Sequence, residues 1–203
     1  MNAGTRGETE DQDLRRYSVV AMSLHWLIAV LILTNIGIAW YFNTLHGIAR
    51  LSPISWHQSL GLSVLILSVV RLAWRLATPA PPLPAGMPLW ERALARTVHV
   101  LFYVVMIGMP LSGWAMRSAS PLHHILPIRL FALPWPAVPP LAHLSGAAAQ
   151  AAEHRFQVVH GLLAKLAYAL VVLHVGGALK HQFISRDLVV ARMVPFLGSR
   201  ASR

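Results

Sequence analysis

Cysteine is absent from this chain of 203 residues. Disulfides, zinc thiolate centres, iron–sulfur clusters and the C-x-x-C-H attachment of c-type haem are therefore excluded. Acids are scarce too, with 7 Asp and Glu against 17 Lys and Arg. Charged residues make up only 12% of the chain, where a water-soluble domain carries roughly 25%. What replaces them is apolar: hydrophobic residues reach 56% and the mean hydropathy is +0.55. Such a chain needs lipid around it. Histidine, with 11 copies, is the remaining metal-binding residue type of note.

Four runs are long enough to cross a bilayer, which takes about 20 apolar residues. They predict helices over about 19–42, 54–76, 96–117 and 156–180. Residues 1–16 read as a polar tail, 17–195 as one domain and 196–203 as a basic tail. The polar start and the long first run argue against a removable signal peptide, whose apolar stretch spans about 7–15 residues. Prolines break the second connection (Pro79, Pro81, Pro82, Pro84, Pro88) and the third (Pro121, Pro127, Pro134, Pro136, Pro139, Pro140). An Ala-rich stretch at 147–152 is expected as a separate short helix at the membrane interface. Pro110 and Gly113 are expected to bend the third span. The fold class is thus an all-α membrane protein, a four-transmembrane-helix bundle.

The net charge of +10 does not point to nucleic acid, because the basic residues flank apolar spans and form no dense stripe. Twelve Lys and Arg lie on the side of the termini and the second connection. Four lie opposite: Arg50, Arg117, Arg129 and Arg155. Lys165 lies inside the fourth span. By the positive-inside rule both termini are expected in the cytoplasm, in a bacterial inner membrane.

A histidine within a span is costly without a partner or a task. His25, His57, His99, His160 and His174 all lie in or just inside the spans. His160 and His174 are fourteen residues apart, a rise of about 21 Å with the second ring turned only about 40° from the first. His57 matches the depth of His160, and His25 that of His174. Two stacked bis-imidazole pairs are what two b-type haems need. Plain hydrogen bonding between helices would explain one such histidine, but not two depth-matched pairs. Zinc fits poorly, since two imidazoles are half of a tetrahedral set. Gly61, Gly161, Gly176 and Gly177 would let a porphyrin approach the backbone, although glycine also serves ordinary membrane packing. His99 fits a haem propionate, a quinone or simple packing. Lys165 fits either a propionate or snorkelling towards the surface. His46, His123, His124, His143 and His154 read as solvated loop residues.

The chain resembles the bacterial cytochrome b561 family, the four-helix dihaem group related to superoxide oxidase. The resemblance runs through Tyr17-Ser18, Ser23-Leu24-His25-Trp26, Trp56-His57-Gln58-Ser59-Leu60-Gly61 and Val69-Val70-Arg71-Leu72. It continues through Met109-Pro110-Leu111-Ser112-Gly113, Val159-His160-Gly161, Leu173-His174 and Lys180-His181-Gln182-Phe183. It implies His25 with His174 at a cytoplasmic haem b and His57 with His160 at an outer one. It also implies electron exchange with ubiquinone, and an outer one-electron donor such as superoxide. Filled axial positions disfavour dioxygen chemistry and favour outer-sphere transfer. The outer arginines would draw in an anion. His181, His99 and Arg71 are expected at a quinone site near the inner haem. Two other readings compete: a cytochrome b anchor subunit of a hydrogenase or formate dehydrogenase complex, and a transporter or haem channel without redox function. The second lacks the inverted repeats or broken helices common in transporters.

Overall fold

A computed structural model describes residues 16–79, 81–83, 86–121, 127–187 and 189–194. Both expected tails (apart from Arg16), along with His123 and His124, lie outside the described residues. Four long helices dominate: α1 (Val19–Thr44), α2 (Leu51–Ala77), α3 (Leu89–Ala119) and α5 (Gly146–Lys180). A 3-10 turn, Gly47–Arg50, leads into α2, and a four-residue helix α4 (Pro139–Ala142) precedes α5. Each long helix, with its flanking turns, is apolar and long enough to span a membrane.

The burial pattern is that of a membrane bundle. Large apolar side chains such as Val30, Leu33, Leu162 and Val172 point outward, where a soluble fold would place charges. Ser18 starts α1 from an extended conformation, its hydroxyl accepting the Ala21 N–H at 3.2 Å. Helices adjacent in the chain pack on one another: α1 on α2, α2 on α3, and α3 on α5. Between α1 and α5 the contacts include aromatic rings, Trp40 on Tyr168 at 6.2 Å and His25 on His174 at 6.1 Å.

Three helices share one register. His57, Val64 and Arg71 on α2 are spaced by seven, as are His99, Met106 and Gly113 on α3 and His160, Ala167 and His174 on α5. Seven residues make nearly two full turns, so each trio lies along one helix face. The middle members are buried. Val64 and Met106 pack with Ile28 of α1, and Ala167 packs with Val98, Val105 and Leu170. This apolar layer separates two polar levels of the bundle.

The third connection is more ordered than its prolines suggest. Strands β1 (Arg129–Leu130) and β2 (Leu133–Pro134) form an antiparallel hairpin, with Phe131 in the left-handed region at φ 55°. The buried Ser59 hydroxyl donates to the Arg129 carbonyl at 3.2 Å and accepts the Phe131 N–H at 2.9 Å. Trp114 donates to the Pro136 carbonyl, and Ser118 accepts the Val138 N–H. The connection is thereby fastened across the loop end of the bundle. The Ala-rich stretch is not a separate interfacial helix; it forms the first turns of α5, which runs unbroken from Gly146. Alanine's high helix propensity and the absence of proline between Gly146 and His160 explain the continuity. Pro110 lies inside α3, which continues through it.

Both described ends of the chain meet at the other end of the bundle. The Tyr17 N–H donates to the Arg192 carbonyl at 3.4 Å, and the Trp26 indole donates to the Met193 carbonyl at 2.9 Å. Arg192 is buried and donates to the Pro82 carbonyl at 2.6 Å. The segment from Val189 to Val194 thus fastens the start of α1 to the second connection.

Candidate functional site

The two polar levels of the bundle are where the histidines meet. At the loop end, the rings of His57 on α2 and His160 on α5 have centroids 6.2 Å apart, with planes at 73°. At the terminal end, His25 on α1 and His174 on α5 have centroids 6.1 Å apart, with planes at 64°. An imidazole–metal bond of about 2.0–2.1 Å on each side, plus the ring radius, puts the centroids of a bis-imidazole metal pair roughly 6.3 Å apart. Both pairs match that spacing. The continuous α5 carries one member of each, about 21 Å apart along its axis.

Hydrogen bonds fix the tautomers at the loop-end level. His57 Nδ1 lies 3.2 Å from the Asn35 carbonyl on α1. His160 Nδ1 lies 3.0 Å from the Met109 carbonyl on α3 and 3.1 Å from the Ser112 hydroxyl. Ser112 itself donates to Met109 at 2.7 Å, so it accepts from the imidazole. A carbonyl can only accept, so Nδ1 carries the proton in each ring and Nε2 keeps its lone pair for a metal. Phe42 packs edge-on against His57 at 5.4 Å, and Arg50 stacks over Phe42 at 5.8 Å.

Around this pair lies a cavity of about 250 Å³, bordered by both histidines, Asn35, Gly61, Gly113 and Ile128 of the third connection. Glycine at 113 lets the His160 ring approach α3 closely. A Cβ there would lie 3.2 Å from His160 Cε1 and 3.3 Å from Nδ1. Asn35 Oδ1 and Gln58 Nε2, both on this cavity, are buried without protein partners. Paired imidazoles, a mainly apolar chamber and glycine-lined walls fit a flat macrocycle that supplies the other four ligands to its metal.

The terminal-end level holds three imidazoles. His99 on α3 has its ring 5.8 Å from that of His174, and Phe102 packs edge-on to His174 at 5.3 Å. His25 Nδ1 is buried without a hydrogen-bond partner. Arg71 lies close enough to act electrostatically on His25, His99 and His174, and it hydrogen-bonds Tyr103. His181 is at the end of α5, its Nδ1 2.6 Å from Asp187 Oδ2. Lys180 pairs with Glu91 at 2.5 Å.

The structure thus brings His57 to His160, His25 to His174, and His99 with Arg71 beside the second pair. It leaves Lys165 exposed on the flank of α5, between the cavity residues Ala164 and Tyr168. Sequence reasoning gave no role to Asn35, Met109 and Ser112, which orient the loop-end rings. Asn35 and Met109 act through backbone carbonyls, which leave no signal in a sequence, and Ser112 entered only as part of the Met109–Gly113 resemblance.

A family model described as prokaryotic cytochrome b561 matches residues 16–196. Cytochrome b561 homolog 2 of Escherichia coli (strain K12) is 31% identical over 183 residues, covering 88% of this chain and 91% of the relative. The probable superoxide oxidase CybB of Yersinia pestis is 30% identical over 186 residues, covering 89% and 97%. Cytochrome b561 homolog 1 of Escherichia coli (strain K12) is 23% identical over 189 residues, covering 90% and 98%.

Proposed function

The chain belongs to the prokaryotic cytochrome b561 family, a family of membrane-embedded haem b proteins, and from that premise we propose that it carries single electrons between a donor on the loop side and the quinone pool. The observation behind this reading is the pair of ring spacings, 6.2 Å and 6.1 Å, at two depths of one bundle. His57 and His160 would hold an outer haem b, and His25 and His174 an inner one. When bound, the two groups would supply one-electron carriers.

The rest of the chemistry belongs to the protein. Asn35, Met109 and Ser112 orient the outer ligands through Nδ1. Lys165, exposed on the flank of α5 next to the cavity residue Ala164, supplies an ammonium for a haem carboxylate. The acids described in this chain are Glu91, Glu153 and Asp187, and none lies at the depth of Lys165. Arg71, His99 and His181 border the quinone site at the inner end. The termini face the cytoplasm and the hairpin faces outward, by the excess of Lys and Arg at the terminal end.

Superoxide is the proposed outer donor. Arg50, Arg117, Arg129 and Arg155 face Glu153 alone on that side, and such a field steers a small anion. The test is stopped-flow mixing of the oxidised, purified protein with superoxide, with and without ubiquinone. Rapid haem reduction that ubiquinone then discharges is expected. Haem that stays oxidised with superoxide but is reduced by quinol would overturn the choice of donor.

A further inference from the structure

We propose that His181 and Asp187 form the proton-delivering couple for quinone reduction at the inner end of the bundle. The proposal rests on the reading that quinone is reduced there.

His181 directly follows the last residue of α5, seven residues past His174 and twenty-one past His160, so it continues the face that carries both. Two turns of helix separate His181 from the inner histidine level, a rise of about 10.5 Å. It therefore stands between that level and the aqueous surface. The helix widens there into a π turn, His181–Ser185, and Arg186, at φ 52°, turns the chain back. That reversal places Asp187 Oδ2 2.6 Å from His181 Nδ1. The other carboxylate oxygen accepts the Val189 N–H at 3.1 Å, and the Asp187 N–H donates to the His181 carbonyl. Both side chains are only part-exposed, 15% for the imidazole and 26% for the carboxylate.

A carboxylate beside the C-terminus of a helix is opposed by the negative end of the helix dipole. Asp187 is held against that field by the His181 ring on one oxygen and the Val189 N–H on the other. Held at Nδ1, the imidazole presents Nε2 as the position that exchanges a proton. Of the other charged side chains at this end of the bundle, Lys180 is paired with Glu91, and Arg92, Arg96, Arg186 and Arg192 are arginines, which do not give up a proton.

The chemistry balances. Two superoxide ions lose one electron each to become dioxygen, and the quinone takes up both electrons and two protons to become quinol. Each proton passes from His181 Nε2 to a quinone oxygen and is replaced from the inner water phase. Asp187 holds the ring through Nδ1 between transfers.

The test uses the full holoprotein and the variants Asp187→Asn and His181→Ala. Haem content, haem spectra and reduction by superoxide are expected to stay native, while re-oxidation by ubiquinone slows about a hundredfold, the range for losing a positioned acid–base group. The pH dependence of re-oxidation should flatten, and added imidazole should restore His181→Ala, which a merely structural role would not allow. Re-oxidation at the native rate in either variant, or no rescue by imidazole, overturns the couple. A native protein that quinone cannot re-oxidise would instead sink the underlying reading.

Discussion

His57 Nδ1 lies 3.2 Å from the backbone carbonyl of Asn35, so α1 sets the orientation of a ring carried by α2. Met109 of α3 does the same for His160 of α5 at 3.0 Å. His25, at the other level, has no such partner on Nδ1. A donated Nδ1 proton makes an imidazole a more basic ligand, which favours ferric iron and lowers the potential. Arg71 beside the inner level favours the ferrous form there, because reduction removes a positive charge. Both effects have the same sign. The inner haem is expected to have the higher midpoint potential by at least about 59 mV, a tenfold bias for one electron. A spectroelectrochemical titration checks it, and an outer haem of higher potential would contradict the argument.

Haem content separates the two levels. His160→Ala should remove the outer haem and leave the inner one, halving the pyridine haemochrome yield per chain. His25→Ala should do the converse. The levels are separated by the layer around Ile28, Val64 and Met106, so loss at one should spare the other. Loss of both haems from either variant would show that the levels fold as one unit.

Gly113 offers a finer probe, because it tests ring position while leaving every ligand in place. The added Cβ of Gly113→Ala meets His160 at 3.2 Å; valine adds two further methyl groups in the same place. Overpacking of this kind costs about 1–3 kcal/mol. Alanine should weaken outer haem binding, and valine should abolish it with the inner haem retained. Native outer-haem spectra in Gly113→Val would refute the tight approach.

The hairpin depends on Ser59, whose hydroxyl bonds both Arg129 and Phe131. Ser59→Ala removes both hydrogen bonds that the buried hydroxyl makes to the hairpin, each contributing about 0.5–1.5 kcal/mol. Amide exchange and protease cleavage between residues 127 and 136 should rise, while haem content holds. Unchanged protection in that segment would mean that Trp114 and Ser118 hold the connection alone.

The spans were legible because lipid imposes length and apolarity on every crossing, and the histidines because fourteen residues on a helix fix both depth and direction. His57 could be matched to His160 from depth alone. The hairpin was not legible: Pro134 and Pro136 mask strand patterning, and the pairing depends on a serine seventy residues away. The continuity of α5 through Gly146–His160 was missed because an Ala-rich stretch outside the hydrocarbon reads equally well as a separate helix. The Asp187 partner of His181 was hidden by a π turn and a left-handed residue, neither of which shows in periodicity.

Lys165 gives the last test. Its ammonium stands on the exposed flank of α5, one residue past Ala164 and three before Tyr168, which both border the outer cavity. A lysine at the centre of a membrane helix costs about 2.5–3.5 kcal/mol unless it is paired. If it holds a haem carboxylate, removing the cation stabilises ferric iron at the outer level only. Lys165→Met should then lower the outer midpoint potential and loosen that haem, with the inner one unchanged, and Lys165→Arg should keep both properties. A Lys165→Met protein that is more heat-stable, with both potentials native, would show that the ammonium faces lipid and has no carboxylate partner.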